Sequence, residues 1–149
     1  MKFIWLMLAS ALVFSTACGG GNSQTNNTVT GNWTAALSDP SGSPALAFTT
    51  SLKQNSGSST VAVNNLSFTT STACFPGSST ATGAFVLNGD FNGQTKGSFQ
   101  MTVQSGTTMS GNLLTLQGTV NNNVVSGSWT LTGVTSGCAG SGNFTMNKM

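Results

Sequence analysis

From residue 31 onward, apolar and polar positions alternate with a period of two, the pattern of strands that bury one face. Trp33, Ala35 and Leu37 stand against Thr34, Ala36 and Ser38, and Leu46, Phe48 and Leu52 share the next face. Val61 and Val63 then lose parity with Leu66 and Phe68, so the extra residue at Asn64-Asn65 predicts a bulge. The series continues through Phe85 and Leu87, then Phe99, Met101 and Val103, then Leu114, Leu116 and Val120. It closes with Val125, Trp129 and Leu131, followed by Phe144 and Met146. Eight strands are predicted, over 31–38, 45–54, 60–69, 80–88, 95–104, 112–120, 124–132 and 138–146. No stretch after residue 30 has helical periodicity.

Turn chemistry separates the strands: Asp39-Pro40-Ser41-Gly42, Asn55-Ser56-Gly57, Asn92-Gly93, Ser105-Gly106 and Asn121-Asn122-Asn123. Such short links favour antiparallel neighbours; the one long connection, 70–79, contains Cys74. A Gly-polar-aromatic-polar unit recurs at Gly31-Asn32-Trp33-Thr34, Gly97-Ser98-Phe99-Gln100, Gly127-Ser128-Trp129-Thr130 and Gly142-Asn143-Phe144-Thr145. Its glycines share the inward face with the aromatics, where strands bend as a small barrel closes. The expectation is an all-β domain over 30–149, an eight-stranded antiparallel up-and-down β-barrel, with a β-sandwich as the alternative.

In a meander, alternate turns fall at the same end. Cys74 and the start of the last strand, Cys138, therefore meet at one end, in connections half a barrel apart. The 70–79 connection is expected to cross the mouth there, carrying Phe75 and Pro76 inward.

In the first-strand Gly31-Asn32-Trp33 and the up-and-down strand order, the domain resembles the lipocalin and avidin-like barrels. The resemblance implies a closed barrel with an interior site for a small apolar ligand. The avidin pocket's tyrosines are absent, as is the arginine that packs on the first-strand tryptophan in lipocalins.

The N-terminus tells of location. Met1-Lys2 precedes an apolar run, Phe3 to Phe14, which is too short to span a bilayer core of about 20 residues. Ser15-Thr16-Ala17-Cys18 follows, and the segment resembles the bacterial lipoprotein signal, with Ser15 standing where that family prefers leucine. The resemblance implies removal of residues 1–17, acylation of Cys18 and anchoring to membrane lipid. Gly19 after the cysteine implies sorting to the outer membrane. Residues 18–29, rich in Gly, Asn, Ser and Thr, are expected to form a tether reaching on the order of 20 Å. Cys74 and Cys138 are then an even pair in an oxidising compartment, and a disulfide is expected.

Composition narrows the chemistry. The chain has six charged residues in 149 and no His, Tyr, Arg or Glu. Nucleic-acid capture requires a basic patch that such a chain lacks. After the leader, the charges are Lys53, Lys96, Lys148, Asp39 and Asp90, scattered among turns and strand ends without the tuned groups of acid–base or nucleophilic catalysis. Ser51 and Lys53 share a strand face but form no dyad. No catalytic residue, metal site or cofactor is expected. Asn88-Gly89-Asp90-Phe91-Asn92-Gly93 copies the first half of an EF-hand loop, yet the twelfth position is Phe99, so a hairpin turn is expected. Trp33, Phe99 and Trp129 are candidates to line an apolar ligand site, or core residues if the barrel is filled. The outward positions, mostly Thr, Ser, Asn and Gln, suit either solubility or contact with polysaccharide. The expected role is a non-catalytic binding or structural module: a carrier of a small apolar ligand, or a surface that contacts envelope polysaccharide.

Overall fold

The computed structural model describes residues 28–55, 58–70, 73–75, 79–87, 96–105 and 111–149. The leader, Cys18, the tract to residue 27, Pro76 and the Asn88–Gly93 turn lie outside these residues. Eight strands follow one another: β1 (Gly31–Ser38), β2 (Pro44–Gln54), β3 (Thr60–Phe68), β4 (Ser79–Leu87), β5 (Lys96–Ser105), β6 (Leu113–Asn121), β7 (Val124–Thr132) and β8 (Gly140–Lys148). Each pairs antiparallel with the next, and β8 pairs back onto β1, closing an up-and-down barrel. Closure pairs each strand on both sides, with the β3–β4 seam the shortest. The last strand begins two residues later than its pattern predicts, because Cys138 and Ala139 lead in from a disulfide before pairing starts.

The alternation in sequence becomes a packed interior. Trp33, Phe48, Leu52, Val61, Phe85, Met101, Leu114, Leu116 and Met146 are each at most 1 % exposed. Burying one such side chain stabilises the fold by about 1.5–3 kcal/mol. The expected bulge is present: Thr49 pairs with Ser67 but Ser51 with Asn64, and Asn65 takes a φ of 51°. It also explains a buried polar residue, since the Thr50 hydroxyl donates to the Asn64 carbonyl at 2.9 Å. Gly118 and Gly127 face each other across β6 and β7, where a Cβ on Gly127 would strike the Gln117 carbonyl and Gly118 Cα. The two backbones approach more closely here than a side chain would allow.

Both ends are covered. At the end where the chain enters, Val29 is buried and its carbonyl accepts the Trp33 indole N–H at 2.8 Å. Thr30 and Gln54 exchange hydrogen bonds beside it, fixing the approach to β1. β3 pairs with β4 only over Thr60–Ala62 and Thr82–Ala84, towards the entry end, and the two strands part towards the opposite, distal end. Beyond that short seam, Phe75 fills the space: it is buried and stacks on Phe68 with ring centroids 4.4 Å apart, and Phe68 lies 5.5 Å from Phe48.

The distal β1–β2 turn is organised by Asp39. Its carboxylate accepts from the Ser41 hydroxyl at 2.6 Å and from the Ser41 and Ser43 amides at 2.9 Å. The Ser41 hydroxyl, and then the Ser43 amide, hold this carboxyl below the ordinary aspartate range. A carboxyl depressed on folding favours the folded state above its unfolded pKa and loses that contribution as pH falls through its folded value. Asp39→Asn should therefore melt at a lower temperature than the parent at neutral pH, with the gap closing in acid. Melting temperatures of the two proteins across the acid range would check this, and a gap that does not depend on pH would refute it.

Candidate functional site

The aromatic residues that the sequence offers as an interior ligand site are packed core. Trp33 is fully buried and its one polar group is spent on Val29. Trp129 is 4 % exposed and donates its indole N–H to the Ser38 carbonyl at 2.9 Å, while Phe99 is 2 % exposed. Trp33 and Trp129 contribute through different elements, one tied to the segment before β1 and the other to the end of β1. Over the Trp33 ring lies the Lys148 ammonium at the end of β8, 5.9 Å from the ring centroid. Gly31, at a φ of 146° that favours glycine, has the flexible end of the Lys148 side chain packed over it.

The distal mouth is held by covalent and polar links. Cys74 and Cys138 form the expected disulfide, and both are buried. Beside it sits Asn112, buried and fully engaged: its amide donates to the Cys74 carbonyl at 2.7 Å and to the Thr135 hydroxyl at 3.2 Å. Its own backbone pairs with Ser105. One asparagine therefore joins the β3–β4, β5–β6 and β7–β8 connections. Nothing marks it in sequence, where it reads as the first residue of the predicted strand 112–120. Among the described residues, no three His, Cys, Asp or Glu side chains come together to hold a metal.

The outer face carries an ordered array of uncharged polar side chains. Residues 97–147 contain no charged side chain. Cross-strand register assembles their outward residues into rows. Thr82, Thr102, Thr115, Thr130 and Ser141 form one hydroxyl row across five strands. Gln100, Gln117, Ser128 and Asn143 form an adjoining row rich in amides, and Ser98, Thr119, Ser126 and Thr145 form a third. Neighbours along a row stand about 4.8 Å apart, and successive rows about 6.7 Å. A concavity of about 280 Å³ opens on this face, walled by Ser98, Gln100 and Gln117 and floored by Ala84, Phe99 and Gly118. A second, of about 240 Å³, lies outside β1 and β8 near Ser38, Gly42, Pro44 and Asn143.

Comparison of the chain with known protein families, characterised proteins and solved structures finds no match.

Proposed function

We propose that this protein is a lipid-anchored bacterial envelope module, non-catalytic, whose filled barrel displays an uncharged hydroxyl- and amide-bearing face to neutral polysaccharide. The Thr16-Ala17-Cys18 signal supports the anchor, with Cys18 as the acylated residue and the outer membrane as its site. The observation that carries the surface reading is the packing of the barrel. Trp33, Phe99 and Trp129, the side chains best suited to an apolar ligand, are buried among their neighbours, and both indoles have already found their acceptors. An interior carrier would need those groups to face open space. The outside offers the opposite chemistry. Hydroxyls and primary amides both donate and accept, matching the hydroxyls of a sugar. Each such bond contributes only about 0.5–1.5 kcal/mol, so repeated rows suit a polymer better than a free monosaccharide.

The test is electrophoresis of the unlipidated mature chain through native gels containing a soluble neutral glucan, together with co-sedimentation on peptidoglycan sacculi. Retardation or pelleting that weakens in a Gln100→Ala/Gln117→Ala variant is expected. Native mass spectrometry after incubation with an envelope lipid extract supplies the opposing outcome. A specific small-molecule adduct, with no response to glycan, would overturn the surface reading in favour of an interior cargo.

A further inference from the structure

The barrel's cations are not dispersed. Lys53 is the next-to-last residue of β2, Lys96 the first of β5 and Lys148 the last of β8. Strand direction puts all three at the end where Val29 and Thr30 lead into β1. Asp39 sits in a turn at the other end. Around an eight-stranded barrel, β2, β5 and β8 are separated by three, three and two strands, so the lysines are spread almost evenly about the rim. None has a carboxylate partner among the described residues, and Lys148 leans on the Trp33 ring at the mouth itself. The remaining acidic side chain, Asp90, falls in the β4–β5 connection, outside the described residues. Chain order places that connection at the lysine end too, so three lysines stand there against one carboxylate, a net excess of positive side-chain charge where the chain enters β1.

We infer that this rim is a three-point docking surface for anionic phospholipid headgroups. It seats the barrel end-on against the bilayer that holds its lipid and turns the disulfide-closed mouth outward. The occupant follows from charge complementarity and from reach. Three ammonium groups, set against the one carboxylate of Asp90 in the β4–β5 connection, encircle the end where the chain enters β1, and a tether of the length read from sequence would reach on the order of 20 Å from it. Juxtamembrane lysines are attracted to anionic lipid within a Debye length of its surface, about 10 Å at 0.1 M salt. Even spacing of the three matters as much as their number. Two lysines on one side would tip the barrel, whereas three around the rim hold its axis upright. The inference rests on the anchor reading for its biological setting, but its test does not need the lipid.

The mature chain with Cys18→Ser, which carries no acyl group, is mixed with sedimenting vesicles of phosphatidylcholine alone or with added phosphatidylglycerol. Binding is expected only to the anionic vesicles, stronger at about 0.01 M salt than at about 0.15 M. Lys53→Gln, Lys96→Gln and Lys148→Gln should each weaken it about fivefold. The deciding variant keeps net charge constant by moving a cation: Lys96→Gln/Ser136→Lys transfers it to an exposed distal loop. Binding should stay as weak as in Lys96→Gln alone. Recovery by the moved lysine would show that net charge rather than the rim drives binding, and equal binding to neutral vesicles would remove the proposal outright. If the acylated parent fractionates with membranes while the Cys18→Ser chain ignores anionic vesicles, the rim fails and the anchor stands. If the parent's mass shows no acylation, the anchor fails independently.

Discussion

Replacing Cys74 and Cys138 together with serine should destabilise the barrel by about 4 kcal/mol, the chain-entropy value for a loop of this length. The two cysteines are 64 residues apart in sequence, and the bond closes more than half of the folded chain into a ring. For a domain of this size the loss should lower the melting temperature by about 15 °C. The structure adds a local effect. Phe75, next to Cys74, stacks on Phe68 beyond the short β3–β4 seam. Without the bond, that plug is held mainly by the hydrogen bond from Asn112 to the Cys74 carbonyl. Urea denaturation of the serine variant, followed by tryptophan fluorescence, gives the global figure. Native-state hydrogen exchange gives the local one, with faster exchange expected first in the distal half of β3 and in β4. A loss under about 1 kcal/mol would mean that the unfolded chain is already compact and that the loop-entropy argument fails here.

How much of this was legible in the chain follows from which forces act along it and which act across it. Strand positions were legible because each strand buries one face, and period-two alternation records that directly. The bulge showed as a break of parity at Asn64-Asn65, and the disulfide followed from which turns share an end. Features that depend on where distant strands come to rest were not legible. Val29, at the close of a polar tract, gives no sign that it seals the entry end. Asn112 looks like the first residue of a strand until three connections converge on it. Lys148 and Trp33 stand at opposite ends of the domain, and only barrel closure brings them together. The hydroxyl and amide rows exist only once the register between strands is set, which alternation within a strand does not determine. The filling of the interior was open for a related reason: five phenylalanines against several inward glycines is a balance of volumes, settled only by how closely the strands approach.

That close approach leads to the second large effect, expected for Gly142→Ala. A Cβ at Gly142 would run into the Ser38 carbonyl and lie 2.9 Å from Asp39 Cα, both belonging to the β1 side of the closure seam. The same Ser38 carbonyl accepts the Trp129 indole N–H. Trp129 lies on β7, opposite Gly142, so its ring reaches over β8 and fastens β7 to β1. Glycine at 142 leaves room for that reach. An added methyl must push β8 away from β1 or dislodge the indole. Overpacking of this kind costs about 1–3 kcal/mol, and a buried donor and acceptor left unpaired adds about 1–3 more. Gly140→Ala is the matched control, because its Cβ would meet only the tip of the Trp129 ring, at 3.2 Å, and a slight shift of the ring accommodates it. Urea midpoints should therefore separate the two variants clearly, with Gly140→Ala close to the parent. Size-exclusion chromatography should also show Gly142→Ala alone forming higher species, since an opened seam bares the edges of β1 and β8 to other chains. Equal stability of the two variants would mean that the seam yields without strain, and that Trp129 is packed in the core without fastening the barrel shut.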